Sequence, residues 1–292
     1  MERQEIFKTL AAYKKDLESK GYKVIYIGLY GSQNYNVDDE KSDIDARAIV
    51  MPSLHDIIFR KPTSKVYEYD TGAVDVKDII TYYDVIKKGN LAFIEPIDTE
   101  YSIGDKYIKE LFSRFRPNLK AVLGMMYEKR KALTHEYPSK HEEFAKWGYD
   151  PKQYHHIKRL EDIFFHIIRT GEQVSYLKYE RMSSRMMISI KRNTSNNTKE
   201  FAEKQSDEII NRVKEYFPKD YKYEPINIDD EINAYIEKEI KKDMFKNPYQ
   251  YVREIRTFDN PIPSKDLAKF PILEQYKGKD ISYIVYESID IL

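Results

Sequence analysis

Val24-Ile25-Tyr26-Ile27-Gly28-Leu29-Tyr30 leads into Gly31-Ser32, and after ten intervening residues comes Asp43-Ile44-Asp45. The first run is apolar and rich in β-branched and aromatic residues, which predicts a buried strand. From Asp43 to Val50 the chain alternates. On a strand, Asp43, Asp45 and Arg47 share one face, while Ile44, Ala46, Ala48 and Val50 share the other. The two carboxylates then stand about 7 Å apart along the backbone, at ~3.3 Å per residue. Such a pair repels unless cations neutralise it, and hard oxygen ligands suit magnesium.

A Gly-Ser after a strand is on its own a turn, and an Asp-x-Asp on a strand face is on its own solvated charge. Strand, Gly-Ser, spacer and Ser42-Asp43-Ile44-Asp45 opening a second strand form a more specific combination. It closely resembles the signature of the DNA polymerase beta-like nucleotidyltransferase superfamily. The resemblance implies that Gly31 and Ser32 lie at a helix start and hold nucleotide phosphates, where free N–H groups favour an anion. It implies that Asp43 and Asp45 hold two metal ions, and that a third carboxylate on a neighbouring strand joins them. Asp75, in Ala73-Val74-Asp75-Val76-Lys77, is the chosen candidate, because Val74 and Val76 would face the core. Lys65-Val66-Tyr67-Glu68-Tyr69 and Asp70-Thr71-Gly72 read as the hairpin leading into it. Glu68, Asp70 and Asp78 compete with it, although Asp78 also reads as the N-cap of a helix over 79–88.

The 292 residues suggest about two domains. Forty-nine basic and 49 acidic residues cancel, so no global field draws the chain to nucleic acid or an anionic membrane. Cysteine is absent, which excludes a disulfide framework and Cys-type zinc sites. No apolar segment has the length of a membrane span and the start carries no signal-peptide pattern, so a cytoplasmic protein without a membrane partner is expected.

Ile6, Leu10, Tyr13 and Leu17 have helical spacing and Gly21 closes them, which predicts a leading helix over 2–20. Lys87-Lys88-Gly89-Asn90 followed by Ile94-Glu95-Pro96-Ile97 resembles a second element of minimal bacterial and phage superfamily members, and a C-capped helix accounts for the same residues. Asp150-Pro151 predicts a helix start, with Asp as N-cap and Pro at the first position, running to about Arg169 and closing at Gly171. Ile157, Leu160, Phe164 and Ile168 form its apolar stripe; Lys152, His156 and Arg159, flanked by His155 and His166, form the opposite face. Such a face is ordinarily solvated. Gly148-Tyr149-Asp150-Pro151-Lys152, then His155-His156 and Arg159-Leu160, resembles the helical segment of the same enzymes. There the resemblance assigns Lys152 and Arg159 to the triphosphate and leaves His156 between a phosphate or base contact and a structural role. Leu177 to Arg192 and 199–216 extend the helical part around a polar loop at 193–198. Residues 217–292 carry no readable motif; a charged helix near 229–245 and a closing strand or docking segment over Ile281–Tyr286 are expected.

The expected fold is therefore α+β: a polymerase beta-like nucleotidyltransferase domain over 1–115, with a mixed sheet and flanking helices, a helical domain over 116–216 completing the nucleotide site, and an extension over 217–292. The implied activity moves an NMP from an NTP to an acceptor hydroxyl or phosphate, with release of pyrophosphate and two Mg2+ (or Mn2+) ions as cofactors. The acceptor is open among an RNA end, a protein and a small molecule. The alternative is a catalytically inactive nucleotide-binding regulator or antitoxin-like partner.

Overall fold

The computed structural model describes residues 3–246, 255–256 and 282–283. Helix α1 (Arg3–Ser19) buries the four residues whose spacing defines it, Ile6, Leu10, Tyr13 and Leu17. The chain then turns into β1 (Lys23–Tyr30), whose six inner residues are all buried, as a central strand covered on both faces requires. After a single 3-10 turn, Ser32–Tyr35, comes β2 (Asp45–Met51). Pro52 ends it, and a short helix that sequence periodicity did not reveal, α2 (Leu54–Ile58), fills the connection with Ser53 as its cap. The hairpin β3 (Ser64–Tyr69) and β4 (Gly72–Asp78) follows, then α3 (Ile79–Ile86), capped by Asp78, and α4 (Leu91–Asp98), capped by Asn90. Strand β5 (Ser102–Gly104) completes a sheet ordered β3-β4-β2-β1-β5. Only β2 and β4 run parallel; the other pairs are antiparallel, so the sheet is mixed.

One sheet face packs on α1 through Val24, Ile27, Leu29, Ala46, Ala48, Val50, Val74 and Val76. On the other side α4 approaches β1 so closely that a Cβ at Gly28 would sit 1.9 Å from the Pro96 carbonyl oxygen. The Tyr26 hydroxyl donates to that same carbonyl at 2.8 Å, which fixes α4 and, with it, Glu95.

The remaining elements of Met1–Asp229, the first of two compact units, are helical: α5 (Lys106–Phe112), α6 (Leu119–Leu133), α7 (His141–Trp147), α8 (Pro151–Thr170), α9 (Arg181–Arg192) and α10 (Lys199–Glu215). A core of Leu119, Val122, Met126, Leu160, Ile163, Phe164, Ile167, Ile210 and Val213 joins α6, α8 and α10. Helix α9 begins at Arg181, four residues later than the expected start at Leu177. The second unit, Asp230–Leu292, takes in most of α11 (Asp229–Lys246), the expected charged helix, and a pair of two-residue strands, β6 (Ile255–Arg256) and β7 (Ser282–Tyr283). The other residues of the expected closing strand lie outside the described residues. Among the described residues no helix is long and apolar enough to cross a membrane.

Candidate active site

Asp43-Ile44-Asp45 is clamped through its backbone. The Gln33 amide donates to the Asp43 carbonyl at 2.7 Å, the Ile44 N–H donates to the Thr71 carbonyl at 2.7 Å, and the Tyr13 hydroxyl donates to the Ile44 carbonyl at 3.2 Å. Gly72 faces this segment with φ +145°, and a Cβ there would lie 2.3 Å from the Ile44 carbonyl oxygen. Only glycine lets the hairpin turn press against Ile44 this way. The strand accordingly starts at Asp45 and not at Asp43, because the groups preceding it bond to the turn, Gln33 and Tyr13. The expected alternation survives: Asp43 is exposed, Ile44 buried, Asp45 half-buried and Ala46 buried.

Asp45 Oδ1 accepts from the Ala73 N–H at 3.1 Å. Burial raises the pKa of this carboxyl, and the nearby charges of Asp43 and Glu68 raise it further, while the Ala73 hydrogen bond and Lys152 oppose them. A half-buried carboxylate crowded by other carboxylates is what a hard cation relieves, and one or two carboxylates with substrate phosphates suffice for magnesium. Among the described residues, however, no three His, Asp or Glu side chains gather as a metal-binding group.

Register explains why Asp75 is apart. On the parallel pair it lies opposite Arg47, not opposite Asp45. Arg47 Nη1 contacts Asp75 Oδ2 at 2.5 Å, and Lys77 Nζ lies 3.5 Å from the other oxygen. The Arg47 guanidinium also stacks 3.9 Å from the Phe93 ring centroid. Ala73, whose N–H meets Asp45, is paired with Glu68 on β3, so Glu68 shares Asp45's row across the sheet. Asp70 is exposed at the hairpin turn. Asp78 accepts from the Thr81 and Thr63 N–H groups at 2.8 and 2.6 Å, a capping role.

Gly31 has φ +110° and opens the 3-10 turn that carries the half-buried Ser32. Glu95 holds this turn from beneath. Its carboxylate, 2 % exposed, accepts from the Gly31 N–H at 2.7 Å, from the Asn34 amide at 3.1 Å and from the Tyr35 hydroxyl. Arg159 supplies the counter-charge, 3.9 Å from Glu95, and lies flat on the Tyr35 ring at 4.0 Å.

Helix α8 starts and ends where expected, with Asp150 accepting from the Lys152 N–H and Gly171 at φ +74°. Its basic face is not the solvated surface that helical periodicity suggests. Lys152 is exposed and acts on Asp45, but His155 and Arg159 are buried and His156 is half-buried. Helix α9 and the segment just before it fasten to the spacer between Gly31-Ser32 and Asp43. Tyr179 N–H donates to the Tyr35 carbonyl at 2.9 Å, Lys191 Nζ donates to Ser42 Oγ at 2.9 Å, and Arg192 makes a two-bond fork to Asp39 at 2.6 and 2.7 Å. Burial pushes the Lys191 ammonium down to about 8.

Glu95, Gln33, Lys191 and Arg192 are the residues that sequence reasoning did not place at the site. Glu95 stood inside a quoted motif; the Lys-Arg pair at the end of α9 carries a signal only together with Asp39 and Ser42.

No family model and no curated protein matches the chain. Among solved structures it is similar to a nucleotidyltransferase-like protein from Exiguobacterium sibiricum 255-15, at 13% identity over 93% of this chain and 87% of that one, with a TM-score of 0.26.

Proposed function

We propose that this chain is a metal-dependent nucleotidyltransferase that moves an NMP from an NTP to an acceptor hydroxyl or phosphate. The observation that carries the reading is the clamped Asp43-Ile44-Asp45 segment, with its two carboxylates on one edge and Lys152 acting on Asp45 from α8. In this reading the sheet domain, 1–115, supplies the acid edge, the helices of 116–216 supply the cations, and 217–292 form an extension.

Asp43 and Asp45 would hold magnesium or manganese together with the nucleotide's phosphates. The metal, when bound, neutralises phosphate charge and makes the acceptor hydroxyl more acidic. The chain's own residues do the rest. Gly31 and Ser32 would line the phosphate end of the turn and the exposed Lys152 would meet the phosphates directly, while Arg159, buried against Glu95 and the Tyr35 ring, would add its charge through the turn. His156, half-buried, packs beside His155 with ring centroids 5.4 Å apart, which favours a supporting role over a contact with the base. Asp75, held by Arg47 and Lys77 and paired with Arg47 rather than Asp45, is the proposed third carboxylate.

The test is transfer from α-labelled ATP, CTP, GTP and UTP with magnesium or manganese. Acceptors are the protein alone, bulk RNA and a cell lysate. Label should enter one fraction, disappear with EDTA and disappear in Asp43→Ala/Asp45→Ala. Loss in Asp75→Ala with activity in Glu68→Ala assigns the third carboxylate to Asp75, and the reverse assigns it to Glu68. A second reading, a nucleotide-binding regulator without chemistry, is favoured by one observation: Asp75 is already neutralised by Arg47 and Lys77. It requires magnesium-dependent NTP binding with no label transferred to any fraction.

A further inference from the structure

The sheet ends on an open strand. β3 has β4 on one side and no strand on the other among the described residues. Two bonds fix which of its groups are left unpaired. Asp78 N–H donates to the Thr63 carbonyl at 3.2 Å, and Ala73 N–H turns the other way, to Asp45 on β2. In the register that pairs Ser64 with Lys77 and Glu68 with Ala73, the odd-numbered residues of β3 therefore exchange bonds with β4. Ser64, Val66 and Glu68 point their N–H and C=O groups outward, and all three residues are exposed. A row of open backbone groups is a template for a further strand, and native edges are ordinarily charged, bent or covered for that reason. This edge carries an apolar patch instead. Among the described residues six large hydrophobic side chains are more than half exposed, and three of them, Ile58, Phe59 and Val66, fall within nine positions on and just before β3.

The strand fits a copy of itself. Two identical edge strands that pair antiparallel are related by a two-fold axis perpendicular to the sheet, so each residue keeps its face and meets one of the same parity. Setting Val66 against Val66 joins Ser64 to Glu68 at both ends. Every open group of the strand is then paired, in six hydrogen bonds. A shift toward the start of the strand sets Glu68 opposite Pro62, which has no N–H, and a shift toward its end sets Ser64 opposite Asp70 in the hairpin turn. The charges agree with the central register. Glu68 of one copy meets Ser64 of the other, whose Oγ already accepts from Lys77 Nζ at 2.7 Å, so a carboxylate approaches an ammonium at each end. Lys65 lies opposite the Tyr67 ring, and the two Lys65 side chains meet only diagonally. The apolar Val66 pair takes the centre.

We propose that two copies of this chain form a two-fold dimer through β3, joining their five-stranded sheets edge to edge with Val66 against Val66. Because the axis is perpendicular to the sheet, both α1 helices lie on one side of the joined sheet, and Asp45 and Asp75 of both copies lie on the other. The dimer rests on backbone pairing and not on carboxylate chemistry, so it stands whether or not the chain transfers nucleotides. Five residues a side make a small interface. The dimer should therefore dissociate on dilution, with a Kd on the order of 10 µM.

The experiment is sedimentation velocity on the full chain, from about tenfold below to about tenfold above that Kd. Wild type should pass from monomer to dimer across the range. On the axis residue 66 meets itself, so Val66→Lys and Val66→Asp each set two like charges face to face and should raise Kd ~10-fold or more. Mixed in equal amounts, the two variants set Lys against Asp and should pair again. Val66 is 59% exposed, so both variants should keep the wild-type far-UV circular dichroism. A wild type that stays monomeric, a dimer untouched by either variant, or a mixture that stays monomeric overturns the proposal. If either variant loses its fold, hydrogen exchange of the wild type follows the edge directly. Protection of the Ser64, Val66 and Glu68 amides that rises with protein concentration supports the dimer. Rates independent of concentration overturn it, and slow rates at every concentration would mean that another part of the same chain covers the strand.

Discussion

The two sides of the candidate cleft are held in opposite ways. On the sheet edge the functional groups are carboxylates whose backbone is pinned, by Gln33, Thr71 and Tyr13, while the Asp43 side chain projects to solvent. On the α8–α9 side the functional groups are basic side chains, of which His155, Arg159 and Lys191 are buried, the first two with unmatched nitrogens. The acid side is therefore rigid in its framework and open in its chemistry, and the basic side is the reverse. Substitutions on the first should remove activity and spare stability; on the second they should cost stability first.

Asp45→Ala together with Asp43→Ala gives the largest effect. Transfer should fall on the order of 10⁴-fold or more, about 5.5 kcal/mol of transition-state stabilisation. The urea midpoint should move little, because the clamp uses main-chain atoms of 43 and 44 and the side-chain bond lost is the one from Ala73 N–H to Asp45, at a carboxylate that burial already disfavours. A variant that loses activity only by unfolding would erase the contrast between the two sides.

Glu95→Ala sharpens it from the other direction. Arg159 would stay buried without its counter-charge, and Gly31 N–H, Asn34 and Tyr35 would lose their common acceptor. Breaking such a buried pair costs about 3–5 kcal/mol. The double variant Glu95→Gln/Arg159→Met, which removes both charges, should recover part of that loss in chemical denaturation. Equal losses in the single and double variants would show that the charge pair is not what holds the turn.

The same contrast explains what the sequence made legible. Strand β1, the hairpin and the limits of α8 follow from local signals: β-branched runs, Gly and Pro punctuation, and the Asp150 and Gly171 caps. Asp43, Ile44 and Asp45 could be assigned to faces because a strand's period of two is local as well. The basic face of α8 misled, since a helical pattern tells apolar from polar but cannot tell polar-exposed from polar-buried. His155 and Arg159 are covered by elements far away in the chain. Lys191 and Arg192 meet Ser42 and Asp39 across 149 and 153 residues, and nothing in a local window carries that complementarity. Asp75 was correctly set on the outward face of its strand, but parallel register, which placed it opposite Arg47, is a property of two strands and not of either one.

Gly72→Ala tests how strictly the turn holds the acid edge. The added Cβ would fall 2.3 Å from the Ile44 carbonyl oxygen, at a φ that an L side chain rarely adopts. Roughly 2 kcal/mol of stability should be lost. Because Ile44 lies between the two carboxylates, transfer should fall more than stability alone explains, which activity measured well below the melting temperature would reveal. Activity equal to wild type there would show that Ile44 can shift without moving Asp43 and Asp45.

The smallest effect is the pH dependence of the Arg192–Asp39 fork, which ties α9 to the spacer. The hydrogen bonds from Arg192, then that from Ser42, hold the Asp39 carboxyl well below the usual carboxylate range, against the opposing effect of burial. A carboxyl with a depressed folded-state pKa adds stability above its unfolded value, near 3.9, and loses that contribution as pH falls through the folded value. Both partners are partly exposed, at 34% and 22% of their side chains, so solvent screening limits the contribution to about 1 kcal/mol. Asp39→Asn should therefore be about 1 kcal/mol less stable than wild type at pH 7 in urea. The gap should narrow at pH 3, where the unfolded wild type is protonated at this residue and pulls the equilibrium its way. A gap of the same size at both pH values would mean that Asp39 acts through hydrogen-bond geometry alone, and that α9 is held to the acid side by shape and not by charge.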